Sequence, residues 1–131
     1  MTDGLLLLHA FPLDASMWAP QVALDEAVPI VAPNAPGFGG ASLSSDVSTM
    51  EEIADRAANE LGAAGIDRAV VVGLSMGGYA AFSFWRRYRD RVVGMVLANT
   101  RSGADDEAGR ERRKALADRL TAECRKVAVS R

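Results

Sequence analysis

Gly73-Leu74-Ser75-Met76-Gly77 is the stretch of this sequence best suited to chemistry, because it sets two glycines symmetrically about a serine. A serine on a sharp turn between a strand and a helix stands clear of the sheet, where its hydroxyl can attack a carbonyl carbon. The flanking glycines have a steric purpose, since a side chain there would collide where strand and helix approach closely. As a bare string the pattern is weak, and context decides its meaning. Here Val70-Val71-Val72 reads as a buried strand before it and Tyr79 to Arg86 as a helix after it. Such a turn aims the first helical amides, including the Met76 N–H, at an oxyanion developing on the attacked carbonyl. A second donor is expected from the loop His9-Ala10-Phe11-Pro12, with the Phe11 N–H as candidate. The expected site is therefore Ser75 as catalytic nucleophile, Phe11 and Met76 as oxyanion donors, and Gly73 and Gly77 as elbow glycines, with no metal.

The elements that must position these residues follow from apolar runs. Leu5 to Leu8 is continuously apolar, as a strand buried on both faces would be. Pro12 to Leu24, anchored by Met17 and Trp18, reads as a loop with a short helix. Val28 to Ala32 is a second strand, placed at the sheet margin by Pro29, which gives no ladder donor. Asn34 to Gly40 is too rich in glycine and proline to be regular. Ser48 with Glu51 predicts a capping box, followed by a helix with Met50, Ile53, Ala54, Ala57, Ala58 and Leu61 on one face and Gly62 or Gly65 at its end. Ala69 to Val72 and Val92 to Ala98 complete four strands. Strands separated by helices or crossovers predict a parallel sheet with right-handed connections and helices on both faces, the α/β class. The charged stretch after Asn99 suits a surface helix.

Composition narrows the field. The 131 residues are 49% apolar and 24% charged, which suits one packed domain, though the architecture usually runs to about 200 to 250 residues. Residues 1–100 hold 6 Lys and Arg against 11 Asp and Glu, and residues 101–131 hold 9 against 6. The basic excess at the end is mixed with acids and has no aromatic after Tyr88, so nucleic acid is not expected as a partner, nor is a membrane. The single cysteine, Cys124, fits a reducing compartment, and the run Leu5 to Leu8 is too short for a signal peptide, so a cytoplasmic location is expected.

Four segments resemble the α/β-hydrolase superfamily in its small esterase and 3-oxoadipate enol-lactonase-like branch: Leu5 to Asp14, Val31 to Ser42, Val70 to Ala80 and Val92 to Thr100. The resemblance implies attack by Ser75 on a small-molecule ester or lactone, an acyl-enzyme, a histidine base, an orienting carboxylate, and no cofactor. It also implies a partial fold of about four parallel strands with flanking helices, without the family's N-terminal hairpin and C-terminal strands. The expected sheet order is second, first, third, fourth. Residues 1–102 would form the core and 103–131 the start of a cap-like helical segment.

Departures from the family are specific. The only histidine, His9, matches the oxyanion-loop histidine rather than the base, and is read as structural. Asp105 and Asp106 stand near where some relatives place the acid, but fit better as charges opening a helix. Ala10 replaces a common glycine, which requires negative φ there, and Asn34 replaces a common aspartate. The segment from Cys124 to Arg131 does not continue the cap pattern, which leads us to expect a frameshift or cloning boundary inside the cap. The competing reading is a non-catalytic assembly module that pairs with another chain, or with itself, through exposed sheet edges. A flavodoxin-like nucleotide binder is disfavoured, because Gly73 to Gly78 lacks dinucleotide-loop spacing and there is no Walker lysine.

Overall fold

A computed structural model describes residues 1–24 and 27–129, with side chains described to residue 123. Four strands, β1 (Asp3–Leu8), β2 (Ile30–Val31), β3 (Arg68–Leu74) and β4 (Val92–Ala98), form one parallel sheet in the order β2-β1-β3-β4. That is the order expected, with β2 and β4 at the margins. The second strand is shorter than its apolar run: only Ile30 and Val31 pair, opposite Leu5 and Leu6, while the Pro29 carbonyl accepts from Leu5 N–H at 2.9 Å. Between β1 and β2 lie a single 3-10 turn, Ala15–Trp18, and the four-residue helix α1 (Ala19–Val22), with Trp18 buried.

Helix α2 (Met50–Ala63) buries Ile53, Ala54, Ala57, Ala58 and Leu61, the face its periodicity marks. Its cap corrects the expectation by one residue. Thr49, not Ser48, is the N-cap; its hydroxyl accepts from Glu52 N–H at 3.2 Å and Glu52 accepts from Thr49 N–H at 3.0 Å. Both Ser-Thr-Met-Glu-Glu registers satisfy the capping pattern, and the loop decides between them, because Ser44 donates to Glu52 at 2.6 Å. At the other end Gly65, at φ 71°, turns the chain, while Ile66 and Gly65 N–H groups bond the Leu61 and Gly62 carbonyls. This is a Schellman ending, which needs a left-handed residue at that point.

Helix α3 (Met76–Arg87) packs on α2, and both lie on the sheet face carrying Leu6, Leu8, Val71 and Met95. Phe84, Leu61 and Val71 are fully enclosed there. Each such side chain contributes about 1.5–3 kcal/mol through burial. The expectation of helices on both faces is corrected. The alternate residues of β3, Val70 and Val72, are half-buried, and Val96 on β4 is exposed. On that same face Leu7 of β1, opposite Val72, is 3% exposed, so burial there is uneven, and the final helix, α4 (Glu107–Val129), follows β4.

Candidate active site

Ser75 sits between β3 and α3 at φ 53° and ψ −113°, one of two non-glycine residues with positive φ among those described. Such a backbone costs about 1–3 kcal/mol and persists only where its surroundings impose it. They do so from three sides. Ser75 N–H donates to the Ala98 carbonyl at 3.0 Å, while the Ser75 carbonyl accepts from Gly78 N–H at 2.9 Å and from the Thr100 hydroxyl at 2.9 Å. A Cβ on Gly73 would overlap the Gly77 carbonyl, one on Gly77 the Leu8 carbonyl, and one on Gly78 the Thr100 side chain. Those glycines are where the first helix turn touches β1, β3 and the segment after β4.

Ser75 occupies the N-cap position of α3, where a serine hydroxyl ordinarily accepts from a helical amide, yet its side chain makes no capping bond. Its hydroxyl is thus not committed to the helix. Met76 N–H, the first of α3, has no carbonyl four residues back within the helix.

The loop after β1 is fixed by His9, which is 2% exposed. Its Nε2 accepts from Ala35 N–H at 2.9 Å, so the proton resides on Nδ1, which donates to the Ala10 carbonyl at 3.0 Å. Both ring nitrogens are occupied, in agreement with a structural role. Phe38 packs edge-on against His9 and Phe11, with ring centroids 5.5 and 5.9 Å away. Ala10 N–H is directed to Met17 Sδ at 3.4 Å, whereas Phe11 N–H has no acceptor among the described residues. Ala10 is not among the positive-φ residues, as its side chain requires.

Asn34 does what a carboxylate could not. Its Oδ1 accepts from Ala15 N–H at 2.7 Å while its Nδ2 donates to the Gly39 carbonyl at 3.2 Å, bracing the loop after β2 against the start of the 3-10 turn that follows β1. The asparagine is therefore a working substitution. Thr100 closes the resembling segment Val92 to Thr100, but its role is not legible there, because only its bond to the Ser75 carbonyl distinguishes it from any threonine after a strand.

Asp105 and Asp106 do open a helix. Asp106 caps α4, its carboxylate accepting from Gly109 N–H at 2.7 Å. Asp105 is gripped by Arg113 and Arg101, whose guanidinium groups hold its carboxyl below the usual carboxylate range. No group of His, Cys, Asp and Glu side chains able to hold a metal occurs among the described residues. No helix among them is long and apolar enough to cross a membrane. Cys124 lies beyond the described side chains, as does the expected break in the cap pattern from Cys124 to Arg131.

Comparison with known proteins agrees with this geometry. A family model described as alpha/beta hydrolase family matches residues 5–128. A thermophilic esterase from Thermogutta terrifontis superposes with a TM-score of 0.82 at 40% identity, over 92% of this chain and 46% of the esterase. The N-acyl homoserine lactonase AidH, complexed with N-butanoyl homoserine, superposes at 0.66 with 28% identity, over 76% of this chain and 38% of that one. A membrane phospholipase A described as a bacterial virulence factor gives 0.66 at 30% identity, over 79% and 34%. No curated protein gives a significant match. This chain spans less than half the length of each of these three structures, and it belongs to the α/β-hydrolase family.

Proposed function

We propose that this chain carries the nucleophile and oxyanion-binding half of a serine hydrolase acting on small carboxylic esters or lactones. The single observation that carries the reading is Ser75: a strained residue at a helix N-cap whose side chain does no capping. Ser75 Oγ gives its proton to a base as it attacks the carbonyl carbon, and the carbonyl oxygen takes the negative charge. Collapse then breaks the acyl C–O bond, the leaving oxygen takes a proton, and the alcohol departs from an ester or stays tethered to the acyl group of an opened lactone, with the acyl group on Oγ. Met76 and Phe11 N–H groups receive that charge. A single such donor lowers the barrier by about 2.7–4 kcal/mol in enzymes of this kind. Supporting the pair is the diversion of Ala10 N–H to Met17 Sδ, which leaves Phe11 as the next amide in the loop. The esterase and lactonase neighbours support the substrate class.

The base and acid come from elsewhere in this reading. His9 is the only histidine in the 131 residues, and both of its ring nitrogens are engaged in holding the loop. A hydrolase of this kind therefore takes its base from a polypeptide beyond these residues. The test is a fluorophosphonate probe read by intact mass, on the chain alone and on the chain mixed with the unmatched remainder of the Thermogutta esterase. The expected result is labelling only in the mixture, abolished by Ser75→Ala. No labelling in a mixture shown to associate would sink the proposal.

A second reading, a non-catalytic assembly module, is favoured by β4, an open margin on which Val93, Val96 and Leu97 are 51, 49 and 41% exposed. Sedimentation velocity on the purified chain discriminates: a defined dimer supports pairing through this edge, and a monomer removes it.

A further inference from the structure

Helix α4 is long and polar, and of its residues from 107 to 123 only Gly109, which has no side chain, is buried. Among its described side chains the apolar Leu116 and Leu120 are 43 and 41% exposed, so apolar packing over residues 107–123 does not fix where the helix lies. Charge does. The Asp105 side chain, 15% exposed, accepts from Arg101 in the same loop and from Arg113 on α4. Arg110 donates to the Asp105 carbonyl at 3.0 Å. Both arginines of the clamp converge on Tyr79 of α3: Arg101 lies 3.3 Å from its hydroxyl, and the Arg113 guanidinium stands 6.0 Å from its ring centroid. Tyr79 follows Ser75 by one helical turn, and Thr100, next to Arg101, donates to the Ser75 carbonyl.

We propose that Asp105 is a positioning residue whose charge moors α4 beside the Ser75 turn, so that the helix is held there ionically and is released by salt or by neutralising this carboxylate. One carboxylate serves two guanidinium groups, and neutralising it leaves Arg101 and Arg113 as like charges beside one tyrosine. Attraction is then replaced by repulsion. The arginines are 58 and 66% exposed at their side chains, which leaves the clamp open to screening by dissolved ions. The mooring rests on Tyr79, one helical turn after Ser75, and does not depend on whether Ser75 is a nucleophile.

The test places spin labels at Glu51→Cys on α2 and Lys114→Cys on α4, in the full chain carrying Cys124→Ser, and measures the distance distribution between them. The expected result is one narrow distribution at low salt. It should broaden about twofold in Asp105→Asn, and likewise in the unaltered clamp at about 1 M NaCl, where the Debye length falls to about 3 Å. Asp105→Glu, which keeps the charge, should return the narrow form. A second label pair from α2 to β3 reports whether each variant is folded. A distribution that stays narrow both in Asp105→Asn and at high salt overturns the proposal, as does one already broad at low salt. So would a Glu variant as broad as the Asn variant.

Discussion

Asp55 and Asp105 each bind arginine beside a tyrosine, and they hold helices in opposite circumstances. Asp55 on α2 takes a two-pronged grip from Arg87 at 2.8 Å on each oxygen and a bond from Tyr88 at 2.5 Å. Beneath that cluster lie Ala57, Leu61 and Phe84, all fully buried. Asp105 makes a similar cluster with Arg101, Arg113 and, through them, Tyr79, but from residue 107 to 123 no apolar side chain of α4 is buried. The same chemistry decorates a packed interface in one region and, in the mooring proposed above, holds the helix in the other. Exposed ion pairs add little to a contact that burial already fixes.

The comparison can be broken most severely at the packed end. Gly77→Ala should cost about 4 kcal/mol or more, the range reserved for substitutions that a rigid site cannot absorb, because the new Cβ meets the Leu8 carbonyl. Urea unfolding measures it, and a loss below about 1 kcal/mol would show that the turn can shift. Phe84→Ala should cost about 3–5 kcal/mol by the same measurement, from lost burial and the cavity left behind. Gly62→Ala sharpens the contrast among glycines. Nothing stands within 4 Å of a Cβ there, so the helix should gain about 0.5–1 kcal/mol.

Asp55→Asn should lower stability by about 1 kcal/mol at most, since both partners are about 40% exposed, and should leave α2 against α3. Acid separates the two clusters more gently. Arg113 and Arg101 depress the Asp105 carboxyl, and Arg87 and Tyr88 depress that of Asp55. A carboxylate depressed in the folded state contributes fully above its unfolded value, near pH 3.9, and the contribution is lost as pH falls through the lower folded value. The α2–α4 label distance should therefore be constant from about pH 5 to 8 and broaden only below about pH 4, with the α2–β3 distance unchanged until global unfolding. Broadening near neutrality would point to some group other than Asp105.

Much of this molecule is legible along the chain. Runs such as Leu5 to Leu8 and Val70 to Val72 announce buried strands, and the 3.6-residue phase from Met50 to Leu61 marks the inner face of α2. The glycines around Ser75 announce a close approach, because exclusion of a side chain is written into residue type. These features depend on neighbours a few residues away, which the sequence displays directly. Tertiary structure alone decided the rest. Thr49 displaced Ser48 as the cap because Ser44 reaches Glu52; Thr100 became part of the Ser75 turn because β4 lies beside β3; and Arg113 found Asp105 and Tyr79 because the loop after β4 returns toward α3. The face opposite α2 and α3 is buried at Leu7 of β1 but only half-buried at Val70 and Val72 of β3. Each of these depends on which segments cross in space, and residue spacing carries no record of a hydrogen-bond partner that folding brings from elsewhere in the chain.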